Sequence, residues 1–199
     1  MGFSTIIDIL GAMIVGGLLL LILLRLNGSV TEKFYTSGND RNLQRSLAET
    51  AILIERDFRR MGYCADPYKI TETMDIVQVA DSDFISFYTD VDKDGNLDIL
   101  TYFLSDTNAL AATVNPRDRI LYRQINSNTP LIVSTNITKF LFEYYDVFGN
   151  NLPSPVASPG NISHMKISMG VEDPDAYDQL YSKAYWQQVR LTSKNLRKR

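Results

Sequence analysis

The chain has 199 residues, with 20 lysines and arginines against 23 aspartates and glutamates and a net charge of −3. That balance gives no electrostatic footprint for a polyanion, so nucleic acid is not an expected partner. The single cysteine, Cys64, excludes an internal disulfide, and the single histidine, His164, excludes a typical zinc site.

The first element in the chain is a long apolar run. Phe3 to Leu24 is 22 residues with one charge, Asp8, and Ile9 to Leu24 carries none. At about 1.5 Å per residue, such a helix rises roughly 33 Å, enough for a hydrocarbon layer of roughly 30 Å. In lipid a lone segment satisfies its backbone polar groups only as a helix. A transmembrane helix over residues 1–26 is therefore expected. A buried helix of a soluble protein rarely carries leucine on every face. A secretory signal would show a basic stretch before the run and a small-x-small site after it, and neither stands before Arg25. Asp8 is costly in lipid unless it is paired or near the interface. Two placements stay open for it: the headgroup level, or a pairing with an amino terminus freed at Phe3, its own or a neighbour's.

The roughly 170 residues that remain suit one soluble domain with a real core. Residues 27–40 are the weakest helical stretch, because Gly28 and Gly38 each cost about 1 kcal/mol relative to alanine in a helix interior. A kink near either glycine is expected. From Arg41 the helical pattern returns. Leu43, Leu47, Ala51, Ile54, Phe58 and Met61 recur at steps of three and four and build one apolar stripe. Arg45, Glu49, Glu55, Arg56, Arg59 and Arg60 fall largely off it, and Glu55 to Arg59 is a favourable i,i+4 pair. Gly62 is the expected stop, with Pro67 shortly beyond. Residues 27–62 are thus an amphipathic continuation of the membrane helix.

After Pro67 the period switches to two, and residues 63–199 read as a β domain. The expected strands are Asp75–Val79, Phe84–Tyr88, Ile99–Leu104, Arg119–Ile125, Ile137–Asp146, His164–Val171 and Tyr185–Leu191. Gly149-Asn150-Asn151 and the stretch around Pro153, Pro155 and Pro159 are expected loops. The order of elements predicts an α+β fold, with a long N-terminal helix (transmembrane half plus amphipathic half) packed on an antiparallel β-sheet.

The sharpest local motif is Asp90-Val-Asp92-Lys-Asp94-Gly95-Asn96-Leu-Asp98. Oxygen ligands at loop positions 1, 3, 5 and 9, with glycine at 6, match a calcium loop of EF-hand type. Clustered carboxylates repel one another unless a cation neutralises them. Position 12, however, is Thr101 rather than glutamate, and the flanks read as strands, so the motif is expected at a hairpin tip. Calcium bound by Asp90, Asp92, Asp94, Asn96 and Asp98 would rigidify that tip. A solvated turn uses the same residue types, and this alternative stays open.

Catalysis finds little support. His164 opens a strand without a recognisable nucleophile context, and Cys64 has no histidine near it in sequence. No glycine-rich phosphate loop is present, and the carboxylates at 90–98 lie in a turn rather than a cleft. The basic tail, Lys194 to Arg199, is a solvated end or a contact with anionic lipid or an acidic partner.

Four segments together resemble the type IV pilin-like superfamily, in particular its minor pilins and pseudopilins of the PilW and GspJ kind. Gly2-Phe3-Ser4-Thr5-Ile6-Ile7 is similar to the glycine–phenylalanine junction cut by prepilin peptidase. Leu53 to Cys64 looks like the end of the family's long helix. Ile137 to Gly149 and Ile162 to Val171 look like its paired sheet strands, and Val189 to Leu196 like its closing strand. Counting Phe3 as first, Asp8 is sixth, whereas the family's acidic residue stands fifth.

The resemblance implies processing between Gly2 and Phe3, subunit assembly involving Asp8, and no enzymatic activity. It implies a single-pass protein of the bacterial inner membrane, with its soluble domain in the periplasm and filament-associated after assembly. The positive-inside rule alone points the other way, because Arg25, Lys33 and Arg41 follow the helix. The implied function is a structural minor subunit of a type IV pilus or a type II secretion pseudopilus. Its partners would be the lipid bilayer, prepilin peptidase, other pilin-like subunits and an inner-membrane assembly platform. Gly11, Ala12, Gly16 and Gly17 would allow helices close approach. The alternative is a membrane-anchored, calcium-dependent adhesion or sensor module that does not polymerise.

Overall fold

A computed structural model describes residues 2–71, 74–174 and 181–191. The basic tail at 194–199 lies outside the described residues. The chain divides into two compact units, Met1–Arg41 and Asn42–Arg199.

One helix, α1, spans Gly2–Arg59 and contributes to both units. It keeps its helical assignment through Gly28 and Gly38, so the expected weak stretch is helical throughout. In the first unit, Thr5–Thr31 is the candidate membrane span: 27 residues of mean hydropathy 2.7, none of it buried within the chain. Those residues rise roughly 40 Å as a helix, enough to cross a bilayer.

The second unit combines the end of α1 with an antiparallel sheet. The strands are β1 (Val77–Ala80), β2 (Phe84–Thr89), β3 (Asp98–Leu104), β4 (Arg119–Ile125), β5 (Leu131–Tyr145), β6 (Asn151–Leu152), β7 (His164–Glu172) and β8 (Lys183–Leu191). Their order is β1-β2-β3-β4-β5-β7-β8, with β6 paired to β5. The α+β class follows from this arrangement.

Alternation places the core. Phe140, Phe142 and Tyr144 of β5 stand opposite Met169, Ile167 and Met165 of β7, and all six are buried. The stripe Leu43, Leu47, Ala51, Ile54, Phe58 and Met61 belongs to the same buried cluster. Phe58 is wholly buried, with ring centroids 5.1 Å from Phe87, 5.5 Å from Tyr102 and 5.6 Å from Phe142. Such aromatic pairs contribute about 0.5–1.5 kcal/mol each beyond their buried area.

The helix proper ends at Arg59, three residues before the expected stop. A turn then runs to Gly62, whose φ of +68° lies in the left-handed region that glycine adopts without steric cost. There the Gly62 N–H donates to the Tyr88 carbonyl at 2.8 Å and ties the turn to β2.

Several strand limits differ from those expected. The first strand begins at Val77, and the Asp75 carbonyl accepts from the Gln78 side chain rather than from a neighbouring strand. β5 begins six residues earlier, at Leu131. Leu131 and Ile132 are exposed and show no inward alternation, but they pair with Arg123 and Tyr122 of β4. Asn151, expected in a loop, joins Leu152 in β6 opposite Tyr145 and Tyr144, after a turn through Gly149 at φ +86°. β2, β3, β7 and β8 each run one or two residues beyond their expected limits, whereas Arg119–Ile125 coincides with β4.

Candidate functional site

The acidic motif forms the connection between β2 and β3, where Thr89 and Asp98 are the last paired residues. It is a hairpin tip, and Thr101 at position 12 lies in β3 opposite Ser86. Asp90 is wholly buried. Its Oδ2 accepts from the Ala65 N–H at 3.0 Å and the Gly95 N–H at 3.1 Å, and its Oδ1 from the Lys93 N–H at 2.6 Å. The Ala65 hydrogen bond is the main reason its carboxyl is held below the usual range, with burial opposing and the Gly95 and Lys93 N–H groups helping.

Asp98 accepts from the Val91 N–H at 3.0 Å and from the Asn126 side chain at 2.8 Å. Gly95 and Lys93 both have positive φ, +84° and +67°, which gives the tip its tight path. The tip is also fastened to the segment after α1. Arg60 Nη2 donates to the carbonyls of Asp90 and Val91, at 2.5 and 3.1 Å, and the Asp90 N–H donates to the Tyr63 carbonyl at 2.8 Å.

Asp90, Asp92 and Asp98 each place one carboxylate oxygen within 4.8 Å of the other two. A calcium ion about 2.4 Å from each ligand tolerates such spacings. Asp94 is not part of this group. Its oxygens accept from the Asn96 backbone at 2.7 Å and the Asn96 side chain at 2.9 Å, and Asn96 Oδ1 accepts from Lys69 at 3.1 Å. Of the four expected carboxylates, three thus stand together, while Asp94 and Asn96 hydrogen-bond to each other.

The second candidate surface is the apolar stretch of α1. Its large aliphatic side chains from Ile6 to Val30 are each 51–69 % exposed, on every face. Gly2 is the first residue of α1, and Asp8 is exposed six positions on. A Cβ added at Gly11, Gly16 or Gly17 would meet nothing within 4 Å. No other part of the described chain covers these positions.

Sequence reasoning passed over a buried charge network. Asp57, 2 % exposed, accepts from Arg123 Nε at 2.6 Å and from the Tyr102 hydroxyl at 2.8 Å, both on Oδ2. Burial, and then the Asp57 charge, push the Tyr102 hydroxyl far above its usual range. The spacing signals that each residue faces inward, though not that the two meet. Asp57 stands three residues after Ile54 and four before Met61, on the apolar face, and Arg123 alternates inward with Leu121 and Ile125. His164 stacks on its cross-strand partner Tyr145 at 5.1 Å, and Cys64 donates weakly to the Gly95 carbonyl at 3.4 Å.

No family model matches the chain, and a search of curated proteins finds no matching sequence.

Proposed function

We propose that this protein is a membrane-anchored structural subunit of a filament of the type IV pilus or type II secretion pseudopilus kind, assembling through its apolar N-terminal helix. The observation that carries this is the apolar stretch Thr5–Thr31, exposed on all faces. In the same helix, the stripe Leu43 to Phe58 is buried in a sheet domain. Lipid satisfies the first stretch in storage, and the helices of sister subunits would satisfy it in a filament. Exchange of lipid for helix contacts costs little when small residues permit close approach, as Gly11, Ala12, Gly16 and Gly17 do. The chain would be a single-pass inner-membrane protein with its sheet domain in the periplasm, processed between Gly2 and Phe3 by prepilin peptidase. An inner-membrane platform would drive assembly.

Photo-crosslinkers placed at Gly16 and at exposed Tyr68, in cells carrying the full chain, test this. Assembly through the helix predicts adducts with other pilin-like chains from position 16. Lipid-only adducts at 16 under filament-forming conditions would overturn it.

A second reading is favoured by the convergence of Asp90, Asp92 and Asp98: a non-polymerising, membrane-anchored module whose hairpin is ordered by calcium. Its expected signature is a calcium-dependent rise in the unfolding midpoint of the full chain in detergent. Loss of that rise in an Asp92→Ala/Asp98→Ala variant supports the site, and an unchanged response dismisses it.

A further inference from the structure

The end of β7 carries a charge cluster that the assembly reading does not use. Glu172, 4 % exposed, is answered on both oxygens. Its Oε2 accepts from Asn115 Nδ2 at 3.1 Å and from Arg117 through Nε at 3.1 Å and Nη2 at 2.6 Å. Its Oε1 faces Lys183 Nζ of β8 at 3.1 Å. Asn115 also donates to the Asp173 carbonyl at 3.4 Å. The Tyr181 ring lies 5.4 Å from the Arg117 guanidinium, and its hydroxyl donates to the Val114 carbonyl at 3.1 Å.

Beside this satisfied group stands one that is not. Asp118, 1 % exposed, immediately precedes β4, and neither of its carboxylate oxygens has a hydrogen-bond partner. The nearby Thr113 hydroxyl is engaged with the carbonyls of Leu110 and Asn115, at 2.8 and 3.2 Å. The charges that act on the Asp118 carboxyl are Glu172 of β7 and Asp173 just after it, which disfavour its ionisation, and Arg117 of its own turn, which favours it. Lys183 of β8 acts through Glu172. Arg119, the next residue, turns toward Asp83 at 3.9 Å. A charged carboxylate held there has only the already engaged Thr113 hydroxyl and the Arg117 charge in its favour, against burial and two further carboxylates. A neutral one removes that repulsion and gains an O–H to donate.

We propose that Asp118, Glu172 and Asp173 form an acid-sensitive clasp, tightened by uptake of one proton on Asp118, that ties the turn before β4 to the β7–β8 end of the sheet. Burial first, and then the Glu172 charge, raise the Asp118 carboxyl to about 6 from its ordinary 3.8, with Asp173 adding and Arg117 opposing. A carboxyl raised on folding contributes stability that is complete below its ordinary value and lost as pH climbs through the folded one. Between about pH 5 and about pH 7.5 this single group changes the folding equilibrium about tenfold.

The full chain in detergent micelles, parent and Asp118→Asn, tests the clasp by thermal unfolding at those two pH values. The difference between the two proteins isolates this carboxyl from every other titrating group. The expected result is a variant whose stability relative to the parent is greater near pH 7.5 than near pH 5, the gap narrowing by about tenfold in the unfolding equilibrium, a few degrees, as the pH falls. A second readout needs no variant. Amide exchange at Glu172 and Lys183 in the parent, corrected for intrinsic rate, should show opening about tenfold rarer near pH 5. If the variant does not fold, that ratio alone decides. A parent–variant gap independent of pH, or opening equal or more frequent near pH 5, overturns the clasp.

Discussion

The two stretches of α1 share one backbone geometry and differ in what surrounds them. Thr5–Thr31 carries aliphatic side chains on every face, all at least half exposed within the chain. From Leu43 to Phe58 the buried apolar residues Leu43, Leu47, Ala51, Ile54 and Phe58 form one stripe, between 0 and 7 % exposed, while Arg45 and Glu49 pair on the outside. The period of the apolar residues, not helix propensity, decides which medium a helix needs. A stripe can be covered by one sheet. An all-round apolar surface needs lipid or several other helices.

That contrast predicts that substitutions in the two stretches act on separate observables. The largest effect is expected at Phe58, where truncation to alanine should destabilise the sheet domain by about 3–5 kcal/mol, read by chemical unfolding. Ile52→Ala, at a side chain 67 % exposed on the same helix, should stay within about 0.5 kcal/mol. Next is Arg123→Met, which leaves the Asp57 carboxylate buried without its strongest partner. A loss of about 3 kcal/mol is expected, and a near-neutral result would mean that Tyr102 and Arg56 suffice.

Leu19→Arg should leave the domain's unfolding midpoint unchanged. It should cost about 3 kcal/mol of insertion at the helix centre, shifting the protein out of the carbonate-resistant membrane fraction. If it destabilised the domain instead, the separation of the two stretches would fail. A smaller loss than at Phe58 or Arg123 is expected for Gly62→Ala, about 1–2 kcal/mol in the same unfolding measurement, because alanine there must adopt the left-handed region.

Much of this was legible in the sequence, for local reasons. The six residues of the stripe are all buried, because i, i+3 and i+4 spacing fixes a face whatever the sheet does. The hairpin carrying Asp90 to Asp98 was legible because turn residues and flanking alternation act over a dozen residues. Asp57 with Arg123, and Arg117 with Glu172, were not read, because such pairs meet only through strand order, which no local period encodes. Strand β5 was read short at its start because Leu131 and Ile132 pair by backbone alone and bury nothing. Within the acidic loop, composition did not show that Asp94 and Asn96 hydrogen-bond to each other, a pairing set by the local turn.

An assembly role for the exposed apolar stretch, beyond anchoring, stands or falls on processing of the chain. The most direct test is N-terminal sequencing of the protein purified from membranes of its own cells. A mature chain that begins at Phe3, N-methylated, is the result expected of a processed filament subunit. A chain that begins with intact Met1, in cells whose prepilin peptidase is active, would contradict it.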